Sequence, residues 1–216
     1  MHVAVLLYGR ILNYREHHSN IVESIGSQHI IDFFYASDSE SDYDVSEFHE
    51  LYKPILCKNE QIHYPIDFSV FLGDRPRETS IHNMTCHFMN KERVFTLLEQ
   101  HVEQTGTKYD CIISTRVDIK YHEPLSLDRF VNTNPYEIFI PDSCDAHGIN
   151  DQIAIGDFSS MKKYMNIYSN TIQLLERGVR ITGECLFKAH LEDCGINVCR
   201  FPLNYGIYHP ILPWFP

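Results

Sequence analysis

The sequence is short of the features that would assign most α/β chains at a glance. No G-x-G-x-x-G follows its first apolar run and no G-x-x-x-x-G-K occurs in it, so dinucleotide-binding and P-loop readings have nothing to rest on. A G-x-S-x-G elbow is missing too, which removes the α/β-hydrolase reading. There is no basic tract: 18 Lys and Arg stand against 29 Asp and Glu, net −11, and a nucleic-acid backbone is a poor partner for such a chain. The cysteines number seven, without a C-x-x-C pair, which suits reduced thiols in a cytosol-like compartment rather than a disulfide framework. The longest N-terminal apolar run, Val3–Tyr8, is too short for a secretory h-region or a membrane span. The expectation is a soluble, cytoplasmic protein with no membrane span.

What is present has the texture of an alternating α/β chain. At 216 residues and 44% hydrophobic it can bury a sizeable core, most simply as one domain over 1–216. His2–Tyr8 is a nearly continuous apolar run, the mark of a strand buried on both faces, and it stops at Gly9-Arg10. Tyr14–Ile25 reads as a helix ended by Gly26, and the adjacent His17 and His18 on it read as surface residues, since neighbours on a helix point apart. His29–Ala36 is a second strand, Ser37–Asp44 an acidic loop, Ser46–Tyr52 a short helix, and Ile55-Leu56 the start of a third strand. Lys58–Thr79, broken by Pro65, Gly73 and Pro76 and carrying Arg75 and Arg77, is a candidate lid. Ser80–Gln104 is the clearest helix, with Met84, Phe88, Val94, Phe95, Leu97, Leu98 and Val102 as its packing stripe. Strands follow at Tyr109–Thr115, Tyr136–Pro141, Ile153–Ile155 and Asn197–Phe201, with helices at Ser159–Glu176, capped by Ser159 or Ser160, and from Gly183 to about Asp193. The fold class expected is α/β with a mainly parallel central sheet flanked by helices.

Charge enters that pattern at one place in particular. In Tyr109–Tyr121 an apolar strand runs into Arg116-Val117-Asp118 and resumes as Ile119-Lys120-Tyr121. A charged pair inside a β-branched run costs burial energy unless it meets a metal, a phosphate or an opposite charge. In open α/β sheets ligands sit beyond the carboxyl ends of the strands, where Asp118 would stand, although a structural ion pair between Arg116 and Asp118 satisfies the same pattern. By the same rule Leu7, Tyr8, Gly9 and Arg10, with Arg15, are expected to line a nucleotide pocket; a tight turn with a surface arginine is the alternative. The polar loop Asp142–Asp151 supplies Asp151, a candidate catalytic base or an Asx-turn residue, and Glu184 is a second candidate carboxylate or a helix-start residue.

Taken together, the strand with Y-D and I-I-S-T-R-V-D, the loop ending in G-I-N-D-Q-I-A-I-G, and the helix with Met161 and Tyr164 resemble the small GT-A-fold glycosyltransferases of polysaccharide and viral glycan synthesis. The same motifs resemble the N-terminal domains of chlorovirus glycosyltransferases that modify capsid protein. The resemblance implies a single Rossmann-like, GT-A-like domain, cut from a longer polypeptide, working in the host cytoplasm if viral. It further implies a nucleotide-sugar donor, UDP-linked rhamnose or glucose first, and a glycan or glycoprotein acceptor hydroxyl. In that class a D-x-D element holds Mn²⁺ or Mg²⁺ on the donor diphosphate. Arg116 replaces the first aspartate here, so the resemblance passes only Asp118 across as a metal ligand, with His209, shortly before Pro213-Trp214, as the tail ligand. Arg116 then either adds a bidentate phosphate contact or orients Asp118. Two other readings stay open: a sugar-nucleotidyltransferase and a non-catalytic sugar-binding module.

Overall fold

The structure, a computed structural model, describes residues 1–11, 14–38, 45–62, 81–131 and 134–207, with only the backbone of His82. Strand β1 (His2–Tyr8) leads through α1 (Tyr14–Ile25) to β2 (Ile30–Ser37), and α2 (Val45–Tyr52) carries the chain on to β3 (Leu56–Asn59). Each crossover returns the chain in the same direction, so β1, β2 and β3 pair in parallel. The long helix α3 (Ile81–Thr105) then delivers β4 (Cys111–Arg116) to the other side of β1, again parallel, with Leu7 opposite Thr115 and Tyr8 opposite Arg116.

Beyond β4 the chain makes the short strand β5 (Ile119–Tyr121), a 3-10 turn at Leu127–Phe130, β6 (Glu137–Pro141) and β7 (Ile153–Gly156). Helices α4 (Phe158–Met165), α5 (Ile167–Glu176) and α6 (Gly183–Asp193) follow, then β8 (Asn197–Phe201) and β9 (Tyr205–Ile207). The seven-stranded sheet has the order β3-β2-β1-β4-β7-β6-β8, in which β7 alone runs against the rest; β5 and β9 pair separately. The expected α/β architecture with a mainly parallel sheet is what forms.

Two apolar layers explain the unbroken hydrophobicity of β1. Ala4, Leu6 and Tyr8 face α3 to α6, while Val3, Val5 and Leu7 face α1 and α2, and none of the six is exposed. Full burial of each aliphatic side chain is worth roughly 1.5–3 kcal/mol against exposure, which fixes β1 at the centre of the sheet.

The structure corrects three local readings. His17 is 1% exposed, not a surface residue: its Nδ1 lies 2.9 Å from the Val117 carbonyl, so it clamps the turn between β4 and β5. The helix expected over Ser159–Glu176 is two helices meeting at Asn166, because the Lys163 carbonyl takes the Asn166 N–H at 3.3 Å and the His190 ring nitrogen at 2.7 Å. Its cap is Asp157, whose carboxylate accepts from Ser160 N at 2.7 Å, rather than Ser159 or Ser160. Most of the candidate lid, with Arg75 and Arg77, lies outside the described residues.

Candidate functional site

The site follows from the direction of β7. Because that strand is antiparallel, the residues that precede it, Asn150 to Gln152, arrive at the same sheet edge as the carboxyl ends of β1 and β4. Tyr8 and Arg116 end their strands there, and Tyr8 OH donates to the Gln152 carbonyl at 2.7 Å. The loop before β7 is held in a costly shape: Cys144, Ala146 and His147 all have positive φ (61°, 37° and 72°). Asn150, fully buried, fixes it by donating to the Ser143 carbonyl at 2.7 Å and accepting from Gln152 N at 2.8 Å, and Arg200 pairs with Asp145 at 2.6 Å.

That loop is pressed onto the start of α6. Ile149 N donates to the Glu184 carbonyl at 3.0 Å, and a Cβ on Gly148 would collide with the Glu184 backbone. A Cβ on Gly183 would meet the Asp151 carboxylate itself. Glycine at both positions is what lets Asp151 come this close to the positive end of a helix.

Behind Asp151 stands a residue that the sequence reading passed over. Lys91 of α3 is 0% exposed, and its ammonium donates to Tyr8 OH at 2.9 Å and Tyr164 OH at 3.1 Å, lying over the Tyr8, Tyr164 and Phe187 rings. Tyr164 OH in turn donates to the Asp151 carbonyl at 3.2 Å. One turn earlier on the same face, His87 places Nε2 3.5 Å from the Asp151 carboxylate. A signal for this was present in the sequence. Met84, Phe88, Phe95, Leu98 and Val102 form a stripe at helical spacing, and Lys91 falls on it, a charge at a core position.

Electrostatics set these groups apart from ordinary surface residues. Burial pushes the Asp151 carboxyl above its usual range, with Lys91 and Arg116 pulling against it. Burial drives Lys91 down, opposed by the Asp151 charge, and burial together with Lys91 and Arg116 drives His87 down. Arg116 loses by burial but gains more from Asp118, so it stays cationic. Glu184 is raised first by burial and then by Asp151. A carboxyl whose hold on a proton is raised by burial, beside the Arg116 cation, is suited to accept a proton.

The Glu184 shift predicts a pH signature. Its folded form favours the proton, so the stabilisation is complete below the ordinary value of 4.5 and is lost as pH rises through the raised value. Glutamine mimics the protonated form at every pH. Glu184→Gln should therefore gain on the wild type as pH rises above that value, by on the order of 1–3 °C in Tm for a partly exposed group. Melting curves at pH 4 and pH 8 test it, and a difference that does not change with pH would mean the carboxyl is not held up.

The expected site residues divide. Arg116, Asp118, Asp151 and Glu184 share one edge. Leu7 is packed in the core and Tyr8 is buried beneath Gln152, so neither side chain lines a pocket; strand alternation between two covered faces leaves them no solvent side. Gly9 has φ 95° and open space where a Cβ would stand, and Arg10 lines a cleft with Tyr35, Ser37, Asp38 and Asn59 at the ends of β1 to β3. Arg15 pairs with Glu47 across α1 and α2, on the exposed side. His209 lies outside the described residues.

The donor set for a metal does not fit at Asp118. Arg116 Nε and Nη2 donate to its two oxygens at 2.7 and 2.6 Å, and among the described residues no group of three His, Cys, Asp or Glu side chains could hold an ion. A divalent ion on that carboxylate would stand beside the guanidinium, and such charges about 4 Å apart repel by roughly 8 kcal/mol at an effective dielectric of about 20. In the structure Arg116 and Asp118 pair with one another.

Comparison with known proteins gives the fold a context. The family model described as "Domain of unknown function (DUF7796)" matches residues 71–209. No curated protein matches the chain. Among solved structures the chain is similar to a protein from Desulfovibrio desulfuricans G20 assigned as a nucleotide-diphospho-sugar transferase, with TM-score 0.50 and 12% identity over 93% of this chain and 79% of that one. The apo-form glycosyltransferase GlyE of Streptococcus pneumoniae TIGR4 aligns with TM-score 0.49 and 12% identity, over 92% of this chain and 45% of that one. The first likeness shows a shared fold, GT-A-like, with its mainly parallel sheet. Neither protein is viral. Among the described residues no helix is long and apolar enough to cross a membrane.

Proposed function

We propose that this chain, which belongs to the DUF7796 family, is a glycosyltransferase that moves a sugar from a nucleoside-diphosphate donor to an acceptor hydroxyl of a glycan or glycoprotein. The observation that carries the reading is the meeting, at one sheet edge, of the part-exposed Arg116 cation and a buried, proton-favouring carboxyl on Asp151. Transfer needs both: a cation for the charge that develops on the leaving diphosphate, and a base for the acceptor. The acceptor oxygen forms its bond to the anomeric carbon as the bond from that carbon to the diphosphate oxygen breaks, the electron pair leaving on that oxygen. The acceptor proton passes to Asp151. The nucleoside, uridine first, would lie at the carboxyl ends of β1 to β3, the side of the sheet edge that carries Arg10.

Two observations weigh against the alternatives. A sugar-nucleotidyltransferase would need a long Gly-rich loop after β1, but only the five residues 9–13 separate β1 from α1. A non-catalytic module would have no use for Asp151 and Lys91, both costly to bury. The test is a panel of nucleotide sugars with a glycan acceptor, following nucleoside diphosphate and pyrophosphate separately. Nucleoside diphosphate alone is expected; pyrophosphate would indicate nucleotidyl transfer, and neither product would indicate a binding module.

A further inference from the structure

The misfit between this site and a metal has a positive side, which rests on the glycosyltransferase reading. Arg116 and Asp118 form a two-point fork in which the carboxylate is the inner partner: the Asp118 side chain is 10% exposed and that of Arg116 31%. Asp118 uses both oxygens on Nε and Nη2, so the guanidinium is locked in plane, and among the described residues its remaining nitrogen, Nη1, has no hydrogen-bond partner. The turn that sets this geometry is itself held, by His17 on the Val117 carbonyl and by Val117 N donating to the Tyr8 carbonyl at 3.2 Å. Arg116 ends β4 directly across from Tyr8, and the charges that act on its head are those of Asp118 and Asp151 at that strand end. A planar cation fixed on one edge, part-exposed at the carboxyl end of a central strand, is the geometry that grips phosphate oxygens in pairs.

We propose that Arg116, aimed by Asp118, is the group that meets the donor diphosphate, so that nucleotide binding and sugar transfer proceed without a divalent cation. Arg116 donates hydrogen bonds to the diphosphate oxygens and gives up no proton, since guanidinium stays protonated. Asp118 is a positioning residue. Its carboxylate is spent on the arginine.

The test is calorimetric titration of the full chain with uridine, guanosine and thymidine diphosphates, once in EDTA and once in Mn²⁺, for the wild type and for Arg116→Ala, Arg116→Lys, Asp118→Asn and the double variant Arg116→Ala/Asp118→Ala. The double variant leaves no unpaired buried carboxylate, so it separates lost binding from lost folding, which thermal melts monitor. The wild type is expected to bind one of the nucleotides equally, within about threefold, in EDTA and in Mn²⁺. Arg116→Ala and the double variant should each weaken binding by roughly 10-fold or more, the loss typical of a charged hydrogen bond, with no rescue by Mn²⁺. Arg116→Lys should fall between, and Asp118→Asn, which still accepts one hydrogen bond, should lose only a few-fold. Binding that requires Mn²⁺ and vanishes in Asp118→Asn, or an Arg116→Ala variant that binds as the wild type does, overturns the inference and leaves the glycosyltransferase reading standing. Absence of nucleotide binding in every arm overturns that reading, and this inference with it.

Discussion

Asp151→Asn is expected to fold, to bind donor nucleotide with wild-type affinity, and to lose at least ~10²-fold in transfer, the low end for removal of a general base. The substitution keeps the shape and changes the chemistry. The Asp151 carbonyl, which receives the Tyr164 hydroxyl at 3.2 Å, is backbone and survives the change. The side chain keeps its place against Gly183 and His87. What is lost is the ability to take the acceptor proton. Glu184→Gln serves as the control, because Glu184 sits beside Asp151 without the cations that surround it, and it should retain most activity. Near-normal turnover in Asp151→Asn would return that residue to a turn role. Equal losses in both variants would mean that the two carboxylates share the proton.

Lys91→Ala should be the most destabilising single change in the site, by roughly 3–5 kcal/mol, because it opens a cavity among Tyr8, Tyr164 and Phe187 and leaves the buried Asp151 without its nearest buried ammonium. Lys91→Met separates packing from charge. Methionine refills most of the volume, and Tyr8 and Tyr164 keep their donations to the carbonyls of Gln152 and Asp151, so most of the stability should return. The pH dependence should not return with it. Lys91 pulls the Asp151 carboxyl down against burial, so removing the ammonium lets that carboxyl rise further, and the acidic limb of the transfer profile should move to higher pH. Urea unfolding measures the first effect and a pH profile of transfer the second. An acidic limb that stays in place in Lys91→Met would show that Lys91 acts by packing alone.

The two glycine positions beside this cluster show why geometry of this kind is hard to read in advance. Gly148 and Gly183 lie 35 residues apart, and nothing around either marks it as a point of backbone approach. Their role exists only once the loop before β7 is pressed onto α6. His17 is a similar case. Beside His18 on a helix it looks like a surface residue, and its partner, the Val117 carbonyl, is 100 residues away.

What the sequence determined by itself is the set of local elements and the class of sheet. Strand β1, helices α1 and α6 and strand β8 can be read to the residue, because hydrophobic period, helix-ending glycines and chain-terminating turns are properties of neighbouring positions. It also singled out Arg116-Asp118, since a charge set against an apolar run is visible without coordinates, and Asp151 as an acid at the end of a polar loop that leads into a strand. The tertiary structure decided what those charges meet. It reversed β7, which brings Asp151 to the edge where β4 ends, and it closed Arg116 onto Asp118. It also carried Lys91 from a helix stripe into the middle of the site. Pairing direction and the partner of a buried charge depend on contacts between residues tens of positions apart. No local pattern encodes them, because the energy that selects them is released only when the layers pack.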